Sequence, residues 1–252
     1  MNPLRKPSKV IQYLKDLENE AGGFSFAPDL YPDVEDTYYA IRTLKLLKTE
    51  VDREKTANYL GSINWKGIGL PRTIYMLLYI HQSLSIEIPS PLKDLLEGDW
   101  SRFQPLDNQY YSDEVGKLLR QPLKPPLTKP SFQGQENLQS LRKKISVLLD
   151  HHIDFGKQEI IRWVQLCQNG DGGFGFYPVT TSFMENTYCA LEILSKLDSY
   201  PTRIDLCREY ILACQTGSGG FGRAPISFPF IESTFQAVAG LFMLGEMERV
   251  NI

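Results

Sequence analysis

The stretch QNGDGGFGFYPVTTSFMENTYCALEIL, residues 168–194, decides the fold of this chain. It begins with a glycine-rich turn, continues through a polar loop, and ends in a segment whose apolar residues recur at helical spacing. Gly22-Gly23-Phe24 and Gly219-Gly220-Phe221 open two further copies of the same arrangement. The second glycine and a later threonine are equally spaced in all three copies, at positions 23 and 37, 173 and 187, and 220 and 234. The chain is therefore built from an internal repeat.

Each glycine-rich turn follows a segment with helical periodicity, anchored by an aromatic residue at position 13, 163 or 210. A fourth copy begins at Tyr59 and runs through Trp65 and Gly67 with a shortened loop. The gap between positions 59 and 163 leaves room for a degenerate fifth copy near residues 100–150. The repeat thus predicts about five helical hairpins, or about ten to eleven helices.

The fold class that these patterns predict is all-α, because almost no segment alternates polar and apolar residues as a strand does. Residues 121–134 are rich in proline and predict an extended insertion or loop. We expect residues 1–252 to form a single domain, with two lobes separated at this insertion as the alternative.

The composition excludes several classes of protein. The net charge of −3 disfavours binding to nucleic acid, which needs a basic surface. No apolar run is long enough to predict a transmembrane segment, and the first residues do not resemble a signal peptide. The four cysteines form no CxxC pair, which predicts reduced core thiols and a cytoplasmic location.

The pattern that joins Trp163, Gln168 and Gly172-Gly173-Phe174 to Glu185 and Leu191 resembles the prenyltransferase and squalene-cyclase repeat family. The resemblance extends over residues 8–85 and 155–248. In that family about six helical hairpins close into an α/α toroid around an apolar cavity. The resemblance therefore implies an α/α toroid with about five recognisable repeats, complete or incomplete, and an isoprenoid or prenyl diphosphate as ligand.

One activity that the resemblance implies is zinc-dependent prenyl transfer, in which the metal activates a thiolate. Prenyltransferase β-subunits supply an aspartate and a cysteine two residues apart, and a later histidine. The matching positions here are Glu232 and Thr234, and threonine is a poor zinc ligand. We therefore expect no zinc and no other cofactor, except Mg²⁺ if a diphosphate is bound.

A second implied activity is the acid-initiated cyclisation carried out by class II terpene cyclases. The segment 31–37, YPDVEDT, resembles the acidic motif of those enzymes and makes Asp33, Glu35 and Asp36 candidate catalytic residues. Neighbouring carboxyls repel each other, which raises the proton affinity of one of them. The alternative is that Glu35 only marks a helix start, as Glu185 and Glu232 do in other copies.

Most of the candidate ligand-binding residues lie at the starts of the second helices, and Arg223 lies in the loop before one of them. Aromatic faces stabilise cations, although packing between hairpins is the alternative for these rings. Arginine binds phosphate, with Arg42 and Arg72 as further candidates for that role, and a solvated surface position is the alternative for each arginine. Cys189 shares a helix face with Glu185, although a buried thiol is the alternative for it. The candidates are Tyr38, Tyr188, Phe235, Arg223, Glu185, Glu232 and Cys189.

We thus expect an isoprenoid-handling protein that resembles a prenyltransferase β-subunit but lacks the zinc ligands. The resemblance also implies a possible partner subunit, as those β-subunits have. Two alternatives stay open. One is a class II terpene cyclase, and the other is a non-catalytic binding or scaffold toroid.

Overall fold

The computed structural model describes residues 7–126, 131–132 and 134–250. Within these residues the chain forms eleven α-helices, a 3₁₀ turn at Trp65–Gly67 and two very short strands. The helices are α1 (Pro7–Lys15), α2 (Val34–Leu46), α3 (Arg53–Gly61), α4 (Pro71–Ser83), α5 (Ser90–Leu96), α6 (Pro105–Leu119), α7 (Leu138–Asp150), α8 (Lys157–Leu166), α9 (Met184–Lys196), α10 (Ile204–Ala213) and α11 (Ile231–Val250). The predicted all-α fold class is confirmed.

The strands β1 (Phe221–Gly222) and β2 (Pro229–Phe230) pair antiparallel and form a small hairpin in the last repeat. None of the helices in the described ranges is long and apolar enough to cross a membrane.

Local sequence explains where the helices begin. Asp33 precedes α2, and its carboxylate accepts a hydrogen bond of 2.8 Å from the backbone N–H of Asp36. Asp52 caps α3 in the same way through Lys55. Helices α4, α5 and α6 instead begin with a proline in their first turn, where the missing N–H has no helical partner to lose.

A buried hydrogen bond explains the fixed interval between glycine and threonine. The backbone N–H of Phe24 donates to Thr37 Oγ1 at 2.9 Å. The same bond joins Phe174 to Thr187 at 3.0 Å and Phe221 to Thr234 at 2.9 Å. We call these three residues, Thr37, Thr187 and Thr234, the frame threonines. Each ties the glycine turn to the first turn of the helix that follows.

The first glycine of each turn has a positive φ and lies against the backbone of another repeat's first helix. A Cβ on Gly22 would be 1.9 Å from the carbonyl oxygen of Lys55. The corresponding approaches are 2.2 Å from Gly172 to Leu206 and 2.3 Å from Gly219 to Lys9. Only glycine fits these positions, because any side chain would overlap a backbone.

Two compact units make up the chain. We call residues Leu14–Pro130 and Ser146–Ile153 the tyrosine-rich unit, and Met1–Tyr13, Ser131–Ile145 and Asp154–Ile252 the regular unit. In the tyrosine-rich unit α4 packs against α2, α5 and α6. In the regular unit α9 packs against α8 and α11, and α10 packs against α11.

The sequence predicted a single domain with an insertion at residues 121–134, and both expectations stay predictions. Residues 121–126 have no regular secondary structure. Residues 127–130 and 133 lie outside the described residues.

Candidate functional site

Tyrosine side chains concentrate on three neighbouring helices of the tyrosine-rich unit, α2, α4 and α6. The ring of Tyr38 lies 5.2 Å from the ring of Tyr79 and 5.9 Å from that of Tyr75, measured between centroids. The Tyr75 ring in turn lies 6.0 Å from that of Tyr111. Tyr39 and Tyr110 extend the group at its two ends, each 5.0 Å from its neighbour in sequence. The result is a continuous aromatic cluster across three helices, in which Tyr38, Tyr110 and Tyr111 are buried.

Arg42 lies within this aromatic group. It follows Tyr38 by one helical turn, and its Nη1 donates a hydrogen bond of 2.7 Å to the Tyr38 hydroxyl. The guanidinium carbon lies 5.2 Å from the centre of the Tyr38 ring and 5.7 Å from that of Tyr79. These distances are those of cation–π contacts. The cluster therefore combines aromatic faces with a positive charge.

Arg72, in the first turn of α4, brings a second guanidinium to the edge of the same group. Its Nη2 forms an ion pair with Glu35 and donates a hydrogen bond of 3.2 Å to the Tyr39 hydroxyl. The side chains of Arg72 and Glu35 are 41% and 42% exposed, so solvent reaches this end. We define the tyrosine–arginine cluster as Tyr38, Tyr39, Arg42, Arg72, Tyr75, Tyr79, Tyr110 and Tyr111.

Two tyrosines of the cluster, Tyr75 and Tyr79, stay neutral at physiological pH. Burial is the main reason that the pKa of Tyr75 is raised, and the nearby Tyr38 and Glu114 add to the increase. Burial also raises the pKa of Tyr79, although the charge of Arg42 partly opposes it. The hydroxyls are therefore hydrogen-bonding groups, and the rings are apolar surface with an electron-rich face.

The regular unit places different chemistry at the corresponding helix starts. The rings of Tyr188 and Phe235 lie 5.7 Å apart, which joins α9 to α11. One turn after Tyr188, the carboxylate of Glu192 lies 3.2 Å from Arg142 and 2.7 Å from Lys196. Burial opposes ionisation of Glu192, but the charges of Arg142 and Lys196 outweigh it and lower its pKa to about 2.

Arg223 joins two repeats in the regular unit. Its guanidinium donates to both carboxylate oxygens of Glu185, at 2.8 and 2.9 Å, and lies 5.3 Å from the centre of the Phe183 ring. Its carbonyl oxygen accepts a 2.7 Å bond from the backbone N–H of Met184. Arg223 and Glu185 thus come together as a bridge between repeats, and their ligand-binding role stays a prediction.

The three acidic candidates near α2 have separate surroundings. Asp33 is engaged as the helix cap, and Glu35 is engaged with Arg72. Asp36 is half-buried in the first turn of α2. The cyclase role of these residues stays a prediction.

The residues at the family's zinc positions do not fit a zinc ion. Thr234 is fully buried, and its Oγ1 is already bonded to the N–H of Phe221 and to the carbonyl oxygen of Phe230, at 2.8 Å. Glu232 accepts a 3.1 Å bond from Gln236 on its own helix. Across residues 7–126, 131–132 and 134–250, no group of three or more histidine, cysteine or acidic side chains is placed to hold a metal.

Cys189 is a buried thiol on α9. Burial is the largest cause that raises its pKa to about 12, so it is not a thiolate at neutral pH. All four cysteines are free and buried. The position of Cys189 is typical of a packed core residue, and its ligand-binding role stays a prediction.

Four members of the tyrosine–arginine cluster were missed from the sequence: Tyr75, Tyr79, Tyr110 and Tyr111. They lie in copies whose glycine turn is shortened or absent, so repeat alignment did not reach them. Two signals were available. Tyr75 and Tyr79 are one helical turn apart, and Tyr110 and Tyr111 are adjacent on α6.

Comparisons with known proteins bear on the fold. The family described as the prenyltransferase alpha-alpha toroid domain matches residues 3–70 and 137–252. Among solved structures, the chain is similar to Candida albicans protein geranylgeranyltransferase-I complexed with GGPP, with 17% sequence identity and a TM-score of 0.40. The match covers 94% of this chain and 78% of that one. No curated protein sequence matches the chain.

Proposed function

This chain belongs to the prenyltransferase α/α toroid family, and we propose that its tyrosine–arginine cluster binds a prenyl diphosphate. The observation that carries the proposal is the gathering of six tyrosines and two arginines on α2, α4 and α6. The proposal is limited to binding, and the zinc set of the transferases plays no part in it.

The tyrosine rings suit the hydrocarbon part of such a ligand. An isoprenoid is a flexible chain of alkenes and methyl groups, which gains free energy when it leaves water for an apolar surface. Tyr75 and Tyr79 are half-buried, so part of each side chain is accessible to a ligand. Because the hydroxyls of Tyr75 and Tyr79 are neutral, these two side chains add no charge of their own that would oppose the approach of hydrocarbon.

The guanidinium groups suit the diphosphate. Arginine binds phosphate oxygens with paired, charge-assisted hydrogen bonds. Arg42 is the better placed of the two, since it contacts two of the aromatic rings directly. Arg72 already has a carboxylate partner in Glu35. We propose that a Mg²⁺ ion accompanying the diphosphate reduces repulsion from Glu35.

Two further expectations are part of this proposal. The four free, buried cysteines support a reducing compartment, and we therefore place the protein in the cytoplasm. A partner subunit, as prenyltransferase β-subunits have, is the second expectation. Co-purification of the full chain from its native host, with one stoichiometric second chain, would support it.

Isothermal titration calorimetry tests the binding proposal with three probes: geranylgeranyl diphosphate, geranylgeraniol and inorganic pyrophosphate. We expect the diphosphate to bind more tightly than the alcohol. Arg42→Gln should weaken binding of the diphosphate by about tenfold to a hundredfold and leave binding of the alcohol unchanged. Tyr75→Ala should weaken both isoprenoids.

The matched control is Glu192→Gln, which changes a charge at the corresponding position of the regular unit. We expect it to leave all three affinities unchanged. The absence of binding by any isoprenoid probe would contradict the proposal. So would an equal loss of affinity in Glu192→Gln and Arg42→Gln.

A further inference from the structure

The loops after the three glycine turns contain the same tight turn. Its second residue is proline, and its third has a positive φ: 65° at Asp29, 63° at Val179 and 66° at Ile226. The chain reverses through backbone bonds of 3.4 Å from Leu30 to Ala27, 3.3 Å from Thr180 to Tyr177 and 3.2 Å from Ser227 to Ala224. A turn of this kind favours glycine or asparagine at its third position.

In the regular unit that third position is occupied by the residues least suited to it. Val179 and Ile226 are β-branched, and a β-branched residue at positive φ is a genuine outlier. The corresponding Asp29 tolerates this conformation better, because short polar side chains visit the left-handed region more readily. The strain is therefore confined to two of the three turns, and in both the strained residue is apolar.

The strained residues are also fully exposed. Val179 is 97% exposed and Ile226 reaches 106%, while Phe228, two residues after Ile226, is 82% exposed. Neither tip is a loose loop, since Thr180 Oγ1 bonds to both backbone groups of Tyr177. Ser227 Oγ bonds to Ala224 in the same manner, and β1 and β2 clamp the base of that loop. Holding apolar side chains rigidly in solvent costs free energy, and exposed apolar residues of this kind mark interaction sites.

The two loops are neighbours in the regular unit. Met184, which ends the loop of Val179, donates a backbone bond to Arg223, which begins the loop of Ile226. Residues 173–184 carry no charged residue, and residues 220–231 carry only Arg223, although the whole chain has 30 acidic residues. The corresponding first loop carries Asp29 and Asp33 instead. The two loop segments themselves therefore carry no acidic residue, and the nearby carboxylate of Glu185 is paired with Arg223.

We propose that these two tips, Tyr177 with Val179 and Ile226 with Phe228, insert into the interfacial region of a lipid bilayer. A stable protein–protein interface buries about 800 Å² on each partner, and two protruding turns offer roughly a few hundred Å². Shallow insertion needs only such small, convex, apolar tips with aromatic neighbours and no acidic residue facing the headgroups. This inference is independent of the proposed prenyl diphosphate site.

Vesicle flotation with the full chain tests this inference. The probes are vesicles of phosphatidylcholine alone and of phosphatidylcholine with phosphatidylserine. We expect the wild type to float with both. The double variant V179N/I226N should lower the partition coefficient by about tenfold or more, because two apolar side chains leave the bilayer. Asparagine tolerates positive φ, so the variant should melt no lower than the wild type, and loss of binding is then not loss of folding.

The matched control is Tyr31→Asn, which removes an equally exposed apolar side chain (96%) from the acidic first loop. We expect it to leave flotation unchanged. An equal loss in this control, or no flotation of the wild type, would overturn the proposal. A wild-type dimer in sedimentation that V179N/I226N converts to monomer, without vesicle binding, would assign the tips to a second copy of the chain instead.

Discussion

Arg42 and Glu192 occupy the same position of the repeat, five residues after the frame threonines Thr37 and Thr187. Each contacts the tyrosine one turn before it. Arg42 donates to the hydroxyl of Tyr38, and Glu192 is hydrogen-bonded to the side chain of Tyr188. The geometry is shared, but the charge is opposite. One position of the repeat is thus cationic in the tyrosine-rich unit and anionic in the regular unit.

The neighbours of these two residues explain the difference. Glu192 lies between Arg142 and Lys196, so its charge is balanced within the regular unit. Arg42 instead lies against the faces of Tyr38 and Tyr79, within the tyrosine–arginine cluster. The frame threonines and glycines, which the two units share, hold the fold. The positions at which the units differ are therefore where we look for ligand binding.

The largest expected effect tests whether the frame is shared. Gly22→Ala and Gly172→Ala should each destabilise the protein by about 4 kcal/mol or more, since the new Cβ overlaps a backbone and φ is positive. Denaturant unfolding measures both. Gly170→Ala, where no atom lies within 4 Å of the added Cβ, is the control and should change little. A large loss of stability from only one of the two substitutions would show that the glycine turns of the two units are not equivalent.

The next effect concerns pH and the regular unit alone. The pKa of Glu192 is about 2 in the folded protein, against an ordinary value of 4.5. The unfolded state therefore binds more protons between these values, and stability rises with pH across that window. The stabilisation, about 3 kcal/mol, is complete above pH 4.5 and is lost as the pH falls towards 2.

Glu192→Gln should remove this part of the acid dependence, as measured by unfolding at a series of pH values. Arg42→Gln is the comparison variant. Because arginine stays charged throughout, its replacement should leave the slope between pH 4.5 and 2 as in the wild type. A wild-type slope in Glu192→Gln would show that its ion pairs do not carry the acid sensitivity.

The smallest expected effect concerns the frame threonines. Thr37→Val and Thr187→Val keep the shape of the side chain but leave the N–H of Phe24 or Phe174 buried without an acceptor. We expect a loss of about 1–3 kcal/mol from each. Thr43→Val is the control, because the Thr43 hydroxyl bonds only to a carbonyl of its own helix. Similar losses of stability in Thr43→Val and Thr37→Val would argue against a special role for the frame threonines.

Much of the fold was predictable because the glycine turn and the frame threonine recur at a fixed interval. That interval predicted the hairpins around Gly22, Gly172 and Gly219, and with them the all-α fold class. Helices α6 and α7 were placed only as a degenerate copy near residues 100–150, and α5 lies before that copy. Their sequences lack the glycine turn. The place of α6 as the third helix of the tyrosine–arginine cluster therefore follows only from its packing against α4.

The candidate site was less predictable. Tyr38, Arg42 and Arg72 were named from the sequence, but their association with Tyr75 and Tyr111 depends on contacts between helices. The sequence does not indicate a positive φ at Val179 and Ile226, because β-branched residues disfavour that conformation. It is imposed by the closing bonds of the turn and by the frame around it.

Photolabelling tests most directly the claim that the tyrosine-rich unit holds the ligand. The full chain is irradiated with a geranylgeranyl diphosphate analogue that carries a benzophenone, and the labelled peptides are mapped by mass spectrometry. We expect labels on α2, α4 or α6 that unlabelled diphosphate competes away and that are reduced in Arg42→Gln. Competed labels on α9 or α11, around Tyr188 and Phe235, would contradict it.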